Sequence, residues 1–182
     1  MRTIRTVGHG TLSADAFVGV VHDVGVEVVV DVRRFPGSKR HPHFSTESMA
    51  AWLPENGLDY RWLAALGGRR KVAADSPNVG LRNVQFRAYA DHMTSDEFAD
   101  GLAQLTAIAR NRSVAVMCAE SLWWRCHRRL LADHLVLVEQ IRVEHLFHNG
   151  RLAEHAPTPG ARAYNGCVIY DAVDGEPASG VA

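Results

Sequence analysis

The chain has 182 residues, 47% of them apolar and 22% charged, which is the balance of one globular domain with a substantial core and too little length for two ordinary ones. Lys+Arg and Asp+Glu each number 20, so the formal net charge is zero; this argues against a broad electrostatic footprint for duplex nucleic acid or anionic membrane and leaves room for a local basic pocket. Three cysteines, Cys118, Cys126 and Cys167, make no disulfide scaffold and read as reduced thiols of a cytoplasmic protein, while the N-terminus lacks the apolar core of a signal peptide and no apolar run is long enough to span a bilayer.

In chain order, residues 4–7 read as a short strand that ends in Gly8-His9-Gly10. Ser13 is placed to cap a helix carrying Phe17, Val20, Val21 and Val24 at helical spacing, stopped by Gly25. Residues 26–32 form the clearest strand, apolar on both faces as in a parallel sheet covered on both sides. Residues 33–45, rich in basic residues, His and Pro, are a loop; Ser45 or Thr46 then caps a helix through Met49, Trp52 and Leu53, ended near Gly57. Residues 58–62 read as a third strand and 67–83 as irregular, a candidate flap. A helix over 84–93 and another opened by Thr94-Ser95-Asp96-Glu97 lead to a buried strand, 114–117. One long helix is expected over 123–138 and a last strand over 142–147. The domain is expected to occupy residues 1–155, with 156–182 a loosely packed extension in which residues 167–170 are placed to add an edge strand. There is no internal repeat.

Strands alternating with helices predict a single α/β domain with a mostly parallel sheet flanked by helices. In such sheets, ligands bind beyond the carboxyl ends of the strands. Three strands end in Gly8-His9-Gly10, in Asp31-Val32-Arg33-Arg34 and in Cys118-Ala119-Glu120, so these residues are expected to share one cleft.

Each has a bland reading beside a chemical one. Cys118, between a buried strand and a helix, is either a thiolate with its pKa lowered by helix amides and arginines or a small core hydrophobe. Glu120 is expected half-buried, as a general base, as an anchor for a ribose or amine, or as a charge on helix amides. His9, between two glycines, is a base, a ligand or a loop histidine. Cys118 and Cys126 with His127 are metal candidates, although C-x7-C-H matches no standard zinc signature and adjacent side chains on a helix diverge by about 100°. Arg33 and Arg34, with Ser38 on the same Pro/Gly loop, suit a phosphate or carboxylate, and Arg69-Arg70-Lys71 offers a second clamp. Asp31 is expected to pair with Arg33 or Arg128 and organise the site. His41, His43, His92, His145, His148 and His155 read mostly as surface residues.

With these residues in view, the chain resembles the bacterial domain-of-unknown-function family 488. The matching pieces are Thr6-Val7-Gly8-His9-Gly10, Asp31-Val32-Arg33 with Pro36 and Ser38, Leu66-Gly67-Gly68, Phe86 with Tyr89-Ala90 and Met93, Cys118-Ala119-Glu120, and Cys126-His127-Arg128. The resemblance implies an α/β fold and marks these residues as a signature; it implies no reaction. Gly10 departs from it, since the family pattern more usually has Ser there.

The leading expectation is an enzyme, a hydrolase or transferase acting on a phosphate-bearing or nucleotide-like ligand. Arg33, Arg34 and Arg128 would hold the anion, Glu120 or His9 would move protons, and Cys118 would be nucleophile or ligand. A metal-dependent version would add Cys126 or His127; no residue pattern names a cofactor. The rival is a non-catalytic protein that grips single-stranded nucleic acid or a partner with the basic loop and Trp123, Trp124 and Arg125, against which the zero net charge counts.

Overall fold

The structure, a computed structural model, describes residues 3–37 and 40–171. Its centre is a six-stranded sheet in the order β3-β2-β4-β1-β5-β6. The strands are β1 (Thr3–Gly8), β2 (Val28–Asp31), β3 (Asp59–Trp62), β4 (Val114–Cys118), β5 (Arg142–Leu146) and β6 (Leu152–Glu154). The first five are parallel, and β6 returns antiparallel along β5. Every residue of β2 and β4 is buried, as their unbroken apolar runs require of strands covered on both faces.

Alternation along the strands sorts the core into two halves. Val7, Val29, Ala115 and Met117 face α1 (Ala14–His22) and α2 (Thr46–Glu55). Ile4, Val28, Val30, Val116 and Cys118 face α3 (Val84–His92), α4 (Asp96–Ala109) and α5 (Arg128–Leu137). The predicted helix starts hold: Ser13, Ser45 and Ser95 each accept a backbone N–H from the first turn of α1, α2 and α4. Residues 67–83 carry no helix or strand. Among the described residues, no helix is long and apolar enough to cross a membrane.

Three expectations change. The helix expected over 123–138 breaks: a 3-10 turn spans Trp123–Arg125, Cys126 is extended (φ −123°, ψ 153°), and α5 begins at Arg128. Stacking of Trp123 on His145, with ring centroids 3.9 Å apart and planes 5° apart, holds the turn out of the helix line. His145 and His155 are buried, 1% and 5% exposed, rather than at the surface. Their ring nitrogens are engaged inward: Thr6 Oγ1 lies 2.7 Å from His145 Nδ1, His145 Nε2 lies 2.9 Å from His155 Nδ1, and His155 Nε2 lies 2.9 Å from Asp133 Oδ1.

Beyond His155, β7 (Arg162–Tyr164) and β8 (Cys167–Ile169) form a separate two-stranded hairpin, not an added edge of the main sheet. Its turn is Asn165-Gly166, both at positive φ (47° and 77°), a pairing suited to a tight hairpin. Val168 and Tyr170 are buried, and the Tyr170 hydroxyl donates to Asp133 at 2.7 Å.

Candidate active site

At the carboxyl edge of the sheet, a cavity of about 380 Å³ opens between the ends of β2 and β4, the loop after β3 and the start of α5. Its floor carries Cys118, Cys126 and His127, and its rim Arg34, Arg69, Arg125, Phe35, Phe86 and Glu120. Cys118 ends β4 and Cys126 follows the 3-10 turn, which brings their Sγ atoms to 2.6 Å of each other. Because Cys126 is extended and the helix starts two residues later, Cys126 and His127 both line the cavity; the 100° divergence of neighbours on a helix does not apply.

His127 Nε2 lies 3.2 Å from the Val32 carbonyl, which only accepts, so Nε2 carries the proton and donates. That leaves Nδ1 bare, 3.5 Å from Cys126 Sγ. Burial pushes the Cys118 thiol pKa well up, with the adjacent Cys126 sulfur adding to it, so Cys118 keeps its proton. Burial acts the same way on Cys126, but the Cys118 hydrogen bond, His127 and Arg128 together outweigh it and hold Cys126 below an ordinary thiol. Of the two sulfurs, Cys126 is therefore the one disposed to give up its proton, with Cys118 as its hydrogen-bond donor.

Arg128 favours a negative charge on the sulfur pair. Its side chain is 1% exposed, donates through Nη2 to the Glu120 carbonyl, and has Nε without a hydrogen-bond partner. No carboxylate pairs with it among the described residues. A buried guanidinium needs a counter-anion, and the neighbouring groups that raise its own pKa against burial are Cys118 and Cys126. Gly8 makes room for this packing: a Cβ there would stand 1.9 Å from the Glu120 carbonyl oxygen and 2.8 Å from Arg128 Nη2. A Cβ on Gly68 would meet His127 Nδ1 at 2.9 Å. At Gly10 (φ +54°), where the resemblance leads one to expect Ser, a Cβ would stand 2.2 Å from Ser121 Oγ; Ser121 fills that space here.

The residues expected in one cleft are divided by the sheet. Asp31 and Cys118 project to opposite faces. On the α1–α2 side, Arg33 donates to the fully buried Asp31 carboxylate through Nε at 2.8 Å and Nη2 at 2.6 Å, and through Nη2 to the Phe44 carbonyl at 2.7 Å; Tyr60 donates to Asp31 at 2.9 Å. Arg33 still borders the cavity, but its fork is spent on Asp31. His9 stacks on Phe44 (centroids 4.1 Å), with Nδ1 3.0 Å from the Gly10 carbonyl and Nε2 3.2 Å from Arg33 Nη1. Burial, aided by Arg33, lowers its pKa to about 3, so it is a neutral ring with both nitrogens engaged and no free position for proton transfer.

Glu120 is exposed rather than half-buried, and one of its oxygens accepts the Leu122 N–H at 3.4 Å. Arg34 donates to the Arg69 carbonyl at 3.1 Å, and Arg69 sits at φ 58°, a left-handed conformation that costs a side-chain-bearing residue on the order of 1 kcal/mol. Arg70 turns away into an ion pair with Glu97 at 2.7 Å. Arg128 lies beneath the floor instead of on the ligand side. Ser38 lies outside the described residues. Arg69 and Arg125 were legible only as members of basic or aromatic runs.

As for metal, no three His, Cys, Asp or Glu side chains gather into a metal-holding group among the described residues. Two thiolates on one tetrahedral ion with bonds of about 2.3 Å would stand roughly 3.7 Å apart. The two sulfurs here are closer, at 2.6 Å.

The sequence profile of the family described as "Domain of unknown function DUF488" matches residues 13–135. No curated protein and no solved structure matches the chain.

Proposed function

The chain belongs to the DUF488 family, and for it we propose an enzyme of the hydrolase or transferase type that uses Cys126 as nucleophile on a phosphate-bearing or nucleotide-like substrate. One observation carries the reading: a thiol in reach of a bare imidazole nitrogen, itself oriented by a carbonyl, at the floor of an arginine-rimmed cavity. That is the arrangement of an activated nucleophile with an oriented base. His127 Nδ1 takes the Cys126 proton. The thiolate attacks phosphorus, the S–P bond forms as the bond to the leaving oxygen breaks, and the His127 imidazolium returns its proton to that oxygen. Water or an acceptor hydroxyl then discharges the thiophosphoryl intermediate, with Arg34, Arg69 and Arg125 placed to hold the anionic oxygens.

Phe35, 66% exposed, and the half-buried Phe86 stand at the same rim and offer faces for a stacked base, which favours a nucleotide over a bare phosphate ester. Calorimetric titration with inorganic phosphate and nucleoside monophosphates, repeated on Arg34→Gln and Arg125→Gln, tests the ligand. Mass spectrometry of protein quenched during turnover of an aryl phosphate tests the nucleophile, the expected adduct being one phosphoryl group on Cys126. Absence of binding at millimolar ligand, or turnover that survives Cys126→Ser, overturns the proposal. Oligonucleotide binding that weakens steeply with salt would favour the non-catalytic rival instead.

A further inference from the structure

We propose that Cys118 and Cys126 form a reversible dithiol–disulfide couple, with hydroperoxides as the oxidant class. The inference does not depend on which ligand the cavity takes. Two sulfurs 2.6 Å apart are already closer than unbonded sulfurs in ordinary contact, and about half an ångström from the roughly 2.05 Å of a disulfide bond. The two residues come from different elements, the end of β4 and the extended link before α5, so a small shift of that link closes the bond without unfolding either element. Both sulfurs border the cavity but are only 2% and 6% exposed, which admits a small oxidant and excludes the disulfide of another protein.

The steps balance. The Cys126 thiolate attacks the outer peroxide oxygen; the S–O bond forms, the O–O bond breaks, and the alkoxide or hydroxide takes up the proton that Cys126 gave to His127 Nδ1 and leaves as alcohol or water. The Cys118 sulfur then attacks Cys126 sulfur; the S–S bond forms, the S–O bond breaks, and hydroxide takes the Cys118 proton to leave as water. Two electrons pass from the sulfurs to the peroxide. A small dithiol returns the couple to its reduced form by two thiol–disulfide exchanges, leaving as its own disulfide.

Arg128 sets the poise of this couple. In the reduced protein, its buried cation faces a thiolate; in the oxidised protein, the thiolate is gone and the guanidinium, 1% exposed, has no counter-anion among the described residues. The reduced form is thereby favoured, and the disulfide is an oxidising, easily reduced one, the behaviour expected where a thiolate is stabilised by its surroundings. Replacing the cation with an apolar chain removes the penalty on the oxidised form.

The sequence supplies its own readout. Trypsin cuts after Arg112 and Arg125, so Cys118 and Cys126 fall in separate peptides, 113–125 and 126–128, which stay joined only by a disulfide. Cys167 lies elsewhere, its sulfur 3.8 Å from the Met93 carbonyl, and Cys167→Ser removes it from the assay. One equivalent of hydrogen peroxide on Cys167→Ser protein should lower the intact mass by two hydrogens and join the two peptides, and dithiothreitol should separate them. In Cys118→Ser the reaction should stop at a dimedone-trapped sulfenic acid on Cys126. In glutathione buffers, Arg128→Met should shift the equilibrium at least tenfold toward the disulfide. Peptides that remain separate after oxidation, with Cys118 still free, overturn the couple even if Arg128→Met does not fold. Phosphate binding measured on reduced protein is unaffected by that outcome, so failure here and failure of the phosphoryl-transfer reading are told apart.

Discussion

Two buried polar clusters flank the 3-10 turn at Trp123, and they differ in how completely they are satisfied. On the β5 side, Asp133 is fully buried and accepts from the Thr158 N–H at 2.8 Å, the Tyr170 hydroxyl at 2.7 Å and His155 Nε2 at 2.9 Å. A proton order running Thr6 to His145 to His155 to Asp133 uses each ring nitrogen once. On the β4 side, Arg128 has a bare Nε and two sulfurs for company, and the cluster opens on a cavity. A closed network rigidifies the fold; an open one with a charge left to answer is a place for a ligand or a reaction. The difference lies in satisfaction, since burial is similar in both.

The comparison breaks if the two clusters answer to the same perturbation. Cys126→Ser should cut phosphoryl transfer on the order of ten-thousandfold, as loss of a nucleophile does, with little change in unfolding midpoint. Asp133→Ala should do the reverse. Three buried donors lose their acceptor, so stability should fall by about 3–5 kcal/mol in denaturant titration, while turnover of the protein that remains folded stays within a few-fold. Equal loss of turnover in both variants would merge the clusters into one functional unit.

Acid sharpens the same contrast. Burial lowers the pKa of His145 to about 3, with His155 and Arg128 adding to the effect; burial also lowers His9 to about 3 and His134 to about 4. In the unfolded chain these rings protonate near pH 6.5, whereas in the folded protein they do not until pH 3–4. Their contribution is therefore fully present above about pH 6.5 and is lost as pH falls through that window, by about 1.4 kcal/mol per pH unit for each ring. Denaturant midpoints measured from pH 7 to pH 4 should show this slope, and His145→Gln should flatten it by one proton. Unchanged midpoints across that range would mean that the rings are charged or solvated in the folded state.

The smallest expected effect concerns the base. Gly68→Ala would put a Cβ 2.9 Å from His127 Nδ1 and push the ring from Cys126. Iodoacetamide should then modify Cys126 several-fold more slowly at neutral pH, while in the unaltered protein Cys126 reacts faster than Cys118. If Cys118 proves the faster thiol, the assignment of the thiolate is reversed.

Much of this was legible from local signals. The apolar runs of β2 and β4 announced strands covered on both faces, Ser13 and Ser95 announced helix starts, and the carboxyl-edge rule collected Arg34, Cys118 and Glu120 around one cavity. Asp31 does pair with Arg33. The hairpin turn was legible too, since Asn165-Gly166 is a standard tight-turn pair, yet the small polar residues around it masked the signal. That His9 and Asp31 lie across the sheet from Cys118 was not legible from strand ends alone. Period two sends Asp31 and Cys118 to opposite faces, so a shared edge does not mean a shared cavity.

By itself, then, the sequence determined the class of fold and most of the order of its strands and helices along the chain, because apolar periodicity and capping act within a few residues of chain. Tertiary structure decided which residues meet at the candidate site. Trp123 stacks on His145 at the start of the 3-10 turn, and Cys126 follows it extended; with that backbone Cys126 and His127 both look into one cavity, with Cys118 2.6 Å away and Arg128 beneath. Those partners lie on β4, β5 and α5, and contacts between elements this far apart depend on how the sheet and helices pack, which no local pattern encodes.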